Sequence, residues 1–230
     1  MKRNYHVEFD LDFRRNTYKG LYIALEGIDG AGKTVQSERL LSYFQEKGAD
    51  AMIINEPRRT GLIGRVINEF LQGRVKIPAA SLQYLITADR IAELDELILP
   101  SLQKGGTLIS HRCFWSAVPY GILDQTDGKV NYEKGNTIIV AQSILSMYFQ
   151  VLVPDITFYL DIPPKVGLDR LSKMGGALEY YEKLDKLKKV ARGYDWMIKK
   201  FPEEFTRIDG DREPEKITGD LIKIIENYKR

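Results

Sequence analysis

Gly27-Ile28-Asp29-Gly30-Ala31-Gly32-Lys33-Thr34 fills the spacing G-x-x-x-x-G-K-[ST], with Gly27, Gly32, Lys33 and Thr34 at the fixed positions. Glycines let the backbone curl so that successive N–H groups point inward, and a helix N-terminus adds its positive dipole end. The context agrees on both sides. Residues 21–25, Leu-Tyr-Ile-Ala-Leu, form an apolar run suited to a buried parallel strand, and Leu40, Leu41 and Phe44 recur at helical spacing after the loop. The whole segment from Gly27 through Ile28, Asp29, Gly30, Ala31 and Gly32 to Lys33 and Thr34 is therefore read as a phosphate cradle. In it Lys33 would reach the β- and γ-phosphates of a nucleotide, and the Thr34 hydroxyl would ligate Mg²⁺.

Working outward, strand-like runs at 21–26, 51–54, 107–110, 156–160 and 205–208 alternate with helical patterns at 33–47, 62–72, 79–103, 136–151, 164–173, 178–201 and 214–228. Such alternation predicts right-handed crossovers and a parallel five-stranded sheet with helices on both faces, a three-layer α/β fold. Ligands then bind beyond the carboxyl ends of the strands. Residues 20–230 read as a single domain with a short lid near 171–180, where Gly175-Gly176 makes a hinge and Arg170 and Lys173 are positive groups that a closing lid delivers. Residues 1–19 form an N-terminal extension, in which Val7, Phe9, Leu11 and Phe13 alternate with acidic residues as in an extra edge strand.

Composition narrows the function. Lys plus Arg number 34 against 32 Asp plus Glu, a net charge of +2, so nothing draws the chain broadly to nucleic acid or an anionic membrane. Cys113 is the lone cysteine and His6 and His111 the only histidines, which excludes an internal disulfide and a zinc cluster and fits a reducing cytoplasm. The first six residues lack the apolar core of a signal peptide. Residues 135–154 carry no charge, but Asn136, Gln142, Ser143, Ser146 and Gln150 interrupt them, so no membrane span is expected.

Residues that follow the strands carry the remaining chemistry. After the second comes Pro57-Arg58-Arg59; adjacent arginines there suit a second anion, or form an exposed surface pair. Ala88-Asp89-Arg90 lies inside a long helix, where the arginine has Asp89 or Glu93 as internal partners. After the third strand come His111-Arg112-Cys113 and then Tyr120.

These motifs, in this order, resemble the thymidylate kinases, a family of P-loop nucleoside-monophosphate kinases. The likeness runs from about residue 20 to the C-terminus and includes the stretches 26–34, 57–59, 88–90, 152–161 and 191–194 together with the Arg112 segment. It implies ATP-dependent phosphorylation of a deoxynucleoside monophosphate, dTMP to dTDP, by Mg²⁺-assisted transfer, in a homodimer. Asp29 would hold the sugar 3′-hydroxyl, Arg59 and Arg112 the acceptor phosphate, with Arg112 bridging to the donor. Arg90 would hydrogen-bond the base, and Tyr120 would pack beside it. Some members carry an arginine in the phosphate loop where this chain has Gly30; Arg170 or Lys173 would supply that charge instead.

Three positions depart from the family pattern. His111 stands where an aspartate usually precedes the arginine, Ile86 where an aromatic ring usually stacks on the base, and Gly121 where bacterial relatives carry glutamine. Neutral imidazole is a poor ligand for a hard cation, and Ile86 gives no π-stacking. Two other readings follow: another deoxynucleotide or deoxynucleoside kinase of the same fold, or a nucleotide-binding relative with weak transferase activity.

Overall fold

The computed structural model describes residues 10–126, 136–175 and 179–229. Five parallel strands, β1 (Leu21–Glu26), β2 (Ala51–Asn55), β3 (Thr107–His111), β4 (Ile156–Asp161) and β5 (Thr206–Asp209), lie in the order β2-β3-β1-β4-β5. β1 is central, pairing Ala24 with Ser110 of β3 and with Thr157 of β4. Its run is apolar because both faces are covered, whereas edge strands β2 and β5 alternate exposed and covered positions. Successive residues face opposite sides of the sheet. Thus Tyr22, Ile54 and Leu108 join one cluster, and Ile23, Ile109 and Phe158 belong to the main core.

The helices are α1 (Lys33–Glu46), α2 (Gly61–Leu71), α3 (Ala79–Glu93), α4 (Leu99–Gln103), α5 (Ala117–Gln125), α6 (Asn136–Ser146), α7 (Pro164–Met174), α8 (Leu184–Lys200) and α9 (Pro214–Asn227). Four differ from expectation, one of them α6, which ends at Ser146 where the pattern runs on to 151. The helix expected over 79–103 is interrupted by a π-helical turn at Leu94–Ile98. Pro100 offers no N–H to the Glu96 carbonyl and its ring crowds that oxygen, which a wider turn relieves. Helix α5 was not among the expected helices; burial of Val118, Ile122 and Leu123 outweighs the low helix propensity of Pro119 and Gly121. The stretch expected helical from 178 begins its helix only at Leu184, residue 178 lying outside the described residues.

Of the candidate edge strand, Val7 and Phe9 lie outside the described residues, and residues 10–19 contribute only an isolated bridge from Arg14 to Leu152. Phe13 packs instead on Phe114 and Trp115, at ring distances of 5.6 and 5.4 Å. Residues 176–178 of the expected lid also lie outside the described residues, while Gly175 closes α7 at φ +76.

Candidate active site

The carboxyl ends of β1 and β3 open onto a shared crevice, where the order of connections reverses across β1. From β1 the chain enters the loop, with Gly30 and Gly32 at φ +82 and +93, and α1 starts at Lys33 with no side-chain cap and no acidic residue in its first turn. Its leading N–H groups are thus free for an anion. Lys33 is 3% exposed, and its Nζ donates to the carbonyls of Gly27 (3.1 Å) and Ile28 (2.9 Å). Burial, then Arg112, pushes its ammonium down to about 7. Thr34 is exposed and faces the adjoining cavity.

Arg112 joins the loop to that cavity. It leaves β3 at φ +76, a left-handed conformation costly for a side-chain-bearing residue. Glu26, the last residue of β1, holds the turn: Oε1 accepts from the Cys113 backbone N–H at 2.8 Å and Oε2 from the Tyr194 hydroxyl at 2.6 Å. The Arg112 guanidinium then donates to Gly27 O (3.0 Å), Asp29 Oδ1 (2.5 Å) and the hydroxyls of Tyr120 (2.7 Å) and Tyr194 (3.2 Å). Tyr120 also donates to Asp29 Oδ2 at 3.1 Å. Burial works to raise the Asp29 carboxyl, but Arg112 and Lys33 outweigh it and hold it below its usual range. His111 also lines the cavity; burial, then Lys33 and Arg112, pushes its imidazole down to about 3, so it is neutral.

The cavity measures about 640 Å³ and lies between the β2–α2 loop, α3, the start of α5 and residues 179–182. Helix α3 lines it with Gln83, Ile86, Arg90 and Glu93, and the π-helical turn that follows adds Leu97, all spaced three and four apart and so on one stripe. The two arginines after β2 part ways. Arg58 is clamped to α3 through Asp89 (3.0 Å) and Glu96 (2.7 Å), while exposed Arg59 pairs with Glu179 at 2.8 Å across the cavity mouth. Arg90 pairs with neither Asp89 nor Glu93: its Nε donates to Glu56 Oε2 at 2.5 Å, both side chains being buried. Arg170 of α7 lies behind the loop, donating to Gly210 O at 3.2 Å and reaching Gly30 O at 3.4 Å.

The structure therefore gathers Asp29, Lys33, Thr34, Arg59, Arg90, Arg112 and Tyr120 around one crevice, with Arg170 at the back of the loop. Lys173, the alternative to Arg170, is exposed in the last turn of α7. Sequence reading missed Glu26 and Glu56, acidic residues at strand ends whose partners are distant in the chain, and Gln83, which resembled any polar helix residue. Among the described residues no group of three His, Cys, Asp or Glu side chains is placed to hold a metal ion. That chemistry suits Mg²⁺ carried on phosphate oxygens and water, with Thr34 as the protein hydroxyl. Among the described residues no helix is long and apolar enough to cross a membrane.

Strand order, loop and adjoining arginine-lined cavity define a P-loop phosphotransferase with room for a second, anionic substrate. The Thymidylate kinase family model matches residues 25–221. The thymidylate kinase of Caldanaerobacter subterraneus subsp. tengcongensis is 32% identical over 212 residues, covering 91% of this chain and 97% of that one. The thymidylate kinase of Thermoanaerobacter sp. (strain X514) is 30% identical over 211 residues, covering 91% and 99%. Among solved structures, thymidylate kinase from Candida albicans superposes with a TM-score of 0.74 at 23% identity, covering 92% of this chain and 93% of that one. The chain belongs to the thymidylate kinase family, and is thus a nucleoside-monophosphate kinase, a transferase.

Proposed function

We propose that this protein transfers the γ-phosphoryl group of ATP to dTMP, giving dTDP and ADP. The observation that carries the reading is the position of Arg112, whose guanidinium touches both the loop carbonyl of Gly27 and the cavity residues Asp29 and Tyr120. A cation there lies between a donor phosphate in the cradle and an acceptor phosphate in the cavity. Phosphoryl transfer needs alignment and charge neutralisation more than covalent chemistry, and two anions must be brought end to end. Lys33 leaves the Gly27 and Ile28 carbonyls for the β- and γ-phosphates, and Arg59 exchanges Glu179 for the acceptor phosphate. Arg170 adds charge from behind the loop. Asp29 takes the sugar 3′-hydroxyl, Arg90 a base carbonyl, and Tyr120 packs beside the ring. Mg²⁺, with Thr34 as its protein ligand, supplies neutralisation of the phosphate oxygens when bound.

Residues 20–230 work as one kinase domain, with a short lid near 171–180 and residues 1–19 as an extension. The working form is a cytoplasmic homodimer, a reading supported by the family likeness and by the buried free Cys113. An ADP-release assay across the nucleoside monophosphates tests the substrate. Turnover greatest with dTMP is expected, and greatest turnover with an unphosphorylated nucleoside would overturn the reading by leaving Arg59 without its anion. The same-fold alternatives and the weak-transferase alternative are not favoured, because the curated relatives matched over almost their full length are thymidylate kinases.

A further inference from the structure

The cavity is lined by two arginines, Arg59 and Arg112, that suit a phosphate, and by Gln83, Ile86 and Arg90 of α3. With the acceptor phosphate at the arginines, as proposed above, the nucleobase rests against Ile86 and within reach of Arg90 and Gln83. Arg90 has five N–H groups. Four are engaged: Nε with Glu56, one on Nη1 with the Tyr148 hydroxyl, and Nη2 with Cys113 O and Ser116 Oγ. The one that remains can donate to a carbonyl but cannot accept anything. A base carrying a ring N–H beside that carbonyl therefore needs an acceptor from elsewhere.

Gln83 has one. It is 1% exposed and lines the cavity, yet its Oε1 has no hydrogen-bond partner, an arrangement that costs free energy unless a ligand completes it. Its carboxamide is held in place by the absence of a side chain on α5: a β-carbon at Gly121 would fall 2.5 Å from Gln83 Nε2 and 2.5 Å from Ile144 Cδ1. The bare Gly121 thus gives the amide its seat between α3 and α5. Glu93 also has an unpartnered oxygen, but it lies ten residues further along α3, about 15 Å by helical rise, on the far side of Arg90 from Ile86 and Gln83.

We infer that Gln83 is a specificity-determining residue for the acceptor, its Oε1 accepting the base ring N–H while Arg90 donates to the adjacent exocyclic carbonyl. Among the pyrimidines this N–H/C=O pair is the edge of thymine and uracil. Cytosine presents a bare ring nitrogen beside an amino group, so it meets an acceptor with a lone pair and a donor with N–H. The discrimination comes from both residues, and Gln83 supplies the half that Arg90 cannot.

The test compares dTMP with its N3-methyl analogue, which keeps both carbonyls but replaces the ring N–H hydrogen with a methyl group, by titration calorimetry. Wild-type protein should bind the analogue roughly tenfold more weakly, the factor for one lost neutral hydrogen bond. Gln83→Leu should bind dTMP roughly tenfold more weakly than wild type and lose the preference between the two ligands, with ATP binding unchanged. Equal binding of the two ligands by wild type overturns the inference, a result that does not depend on any variant folding. A Gln83→Leu protein that keeps the wild-type preference overturns it as well. Failure of wild type to bind dTMP at all would instead count against the acceptor cavity itself.

Discussion

Gly30 of the phosphate loop lies so close to Gly167 of α7 that a β-carbon on Gly30 would come within 2.3 Å of the Gly167 carbonyl oxygen. A loop arginine at this position, as some relatives carry, therefore has no room here. Arg170, one turn further along α7, reaches the Gly30 carbonyl instead. Arg170→Ala should keep the fold and lower kcat by roughly a hundredfold, the scale for removing one donor to developing charge. Gly30→Arg should fail to rescue it and should itself lower the melting temperature. Steady-state kinetics with thermal unfolding checks both, and a double variant with restored turnover would refute the assignment.

Lys33 is buried among loop carbonyls with its ammonium pushed down to about 7, and under the proposed mechanism it leaves them for a phosphate. Lys33→Ala should abolish detectable turnover while leaving the urea midpoint within the range of a neutral substitution. Full activity in the variant would remove this residue from the mechanism.

Glu26 is a positioning residue. Its carboxylate accepts from Cys113 N and Tyr194 while Arg112 Nη1 stands 3.9 Å from Oε2, so it holds the left-handed turn more than the guanidinium itself. Glu26→Ala leaves a buried N–H unpaired and should cost about 1–3 kcal/mol of stability. It should also lower kcat, because Arg112 loses its aim. Glu26→Gln keeps the oxygen for Cys113 and should recover most of the stability. Equal destabilisation by both variants would show that charge, not the hydrogen bond, matters.

Much of this was legible in the chain. The loop carries its own signature, and β1 through β5 stand within a residue or two of the expected runs, most plainly β1, whose covered residues make an apolar run. What sequence could not show is what burial decides. Helix α5 forms over Pro119 and Gly121 because its other residues are covered, and the helix after Ala79 widens around Pro100. Arg90 finds Glu56 and Tyr148, 34 and 58 residues away, rather than its helix neighbours. Arg59, in an arginine pair after the second strand, read as an anion-binding candidate, and the role expected of Arg112 came from the family resemblance; Gln83 was not legible, because an orphaned oxygen has no sequence signal.

Glu93 gives the stability a measurable pH dependence. Burial, then the Glu56 carboxylate, pushes its carboxyl up to about 8 from an ordinary 4.5. Between those values the folded protein keeps a proton that the unfolded chain has lost. The stability contributed by this group is full below pH 4.5 and is lost as pH rises to about 8, at up to about 1.4 kcal/mol per pH unit. Glu93→Gln cannot ionise, so its urea midpoint should exceed that of wild type increasingly from pH 6 to 8.5, beyond which the gap stays constant. Parallel pH profiles for the two proteins would rule out a buried, protonated Glu93.

His111→Asp tests the departure that most affects chemistry. The imidazole is neutral, half-buried in the cavity and close enough to Lys33 and Arg112 for both to oppose its protonation. The same two cations would hold an aspartate at this position ionised. A carboxylate is a hard oxygen donor suited to Mg²⁺ or its waters, which imidazole is not. It would also favour the charged form of Lys33. If a missing carboxylate limits the rate, His111→Asp should raise kcat severalfold at saturating ATP, dTMP and Mg²⁺, with a lower Mg²⁺ concentration needed for half-maximal rate. An unchanged or lower kcat would mean that Thr34, water and the phosphates suffice for the metal, and that the new carboxylate only competes with the acceptor phosphate for Arg112.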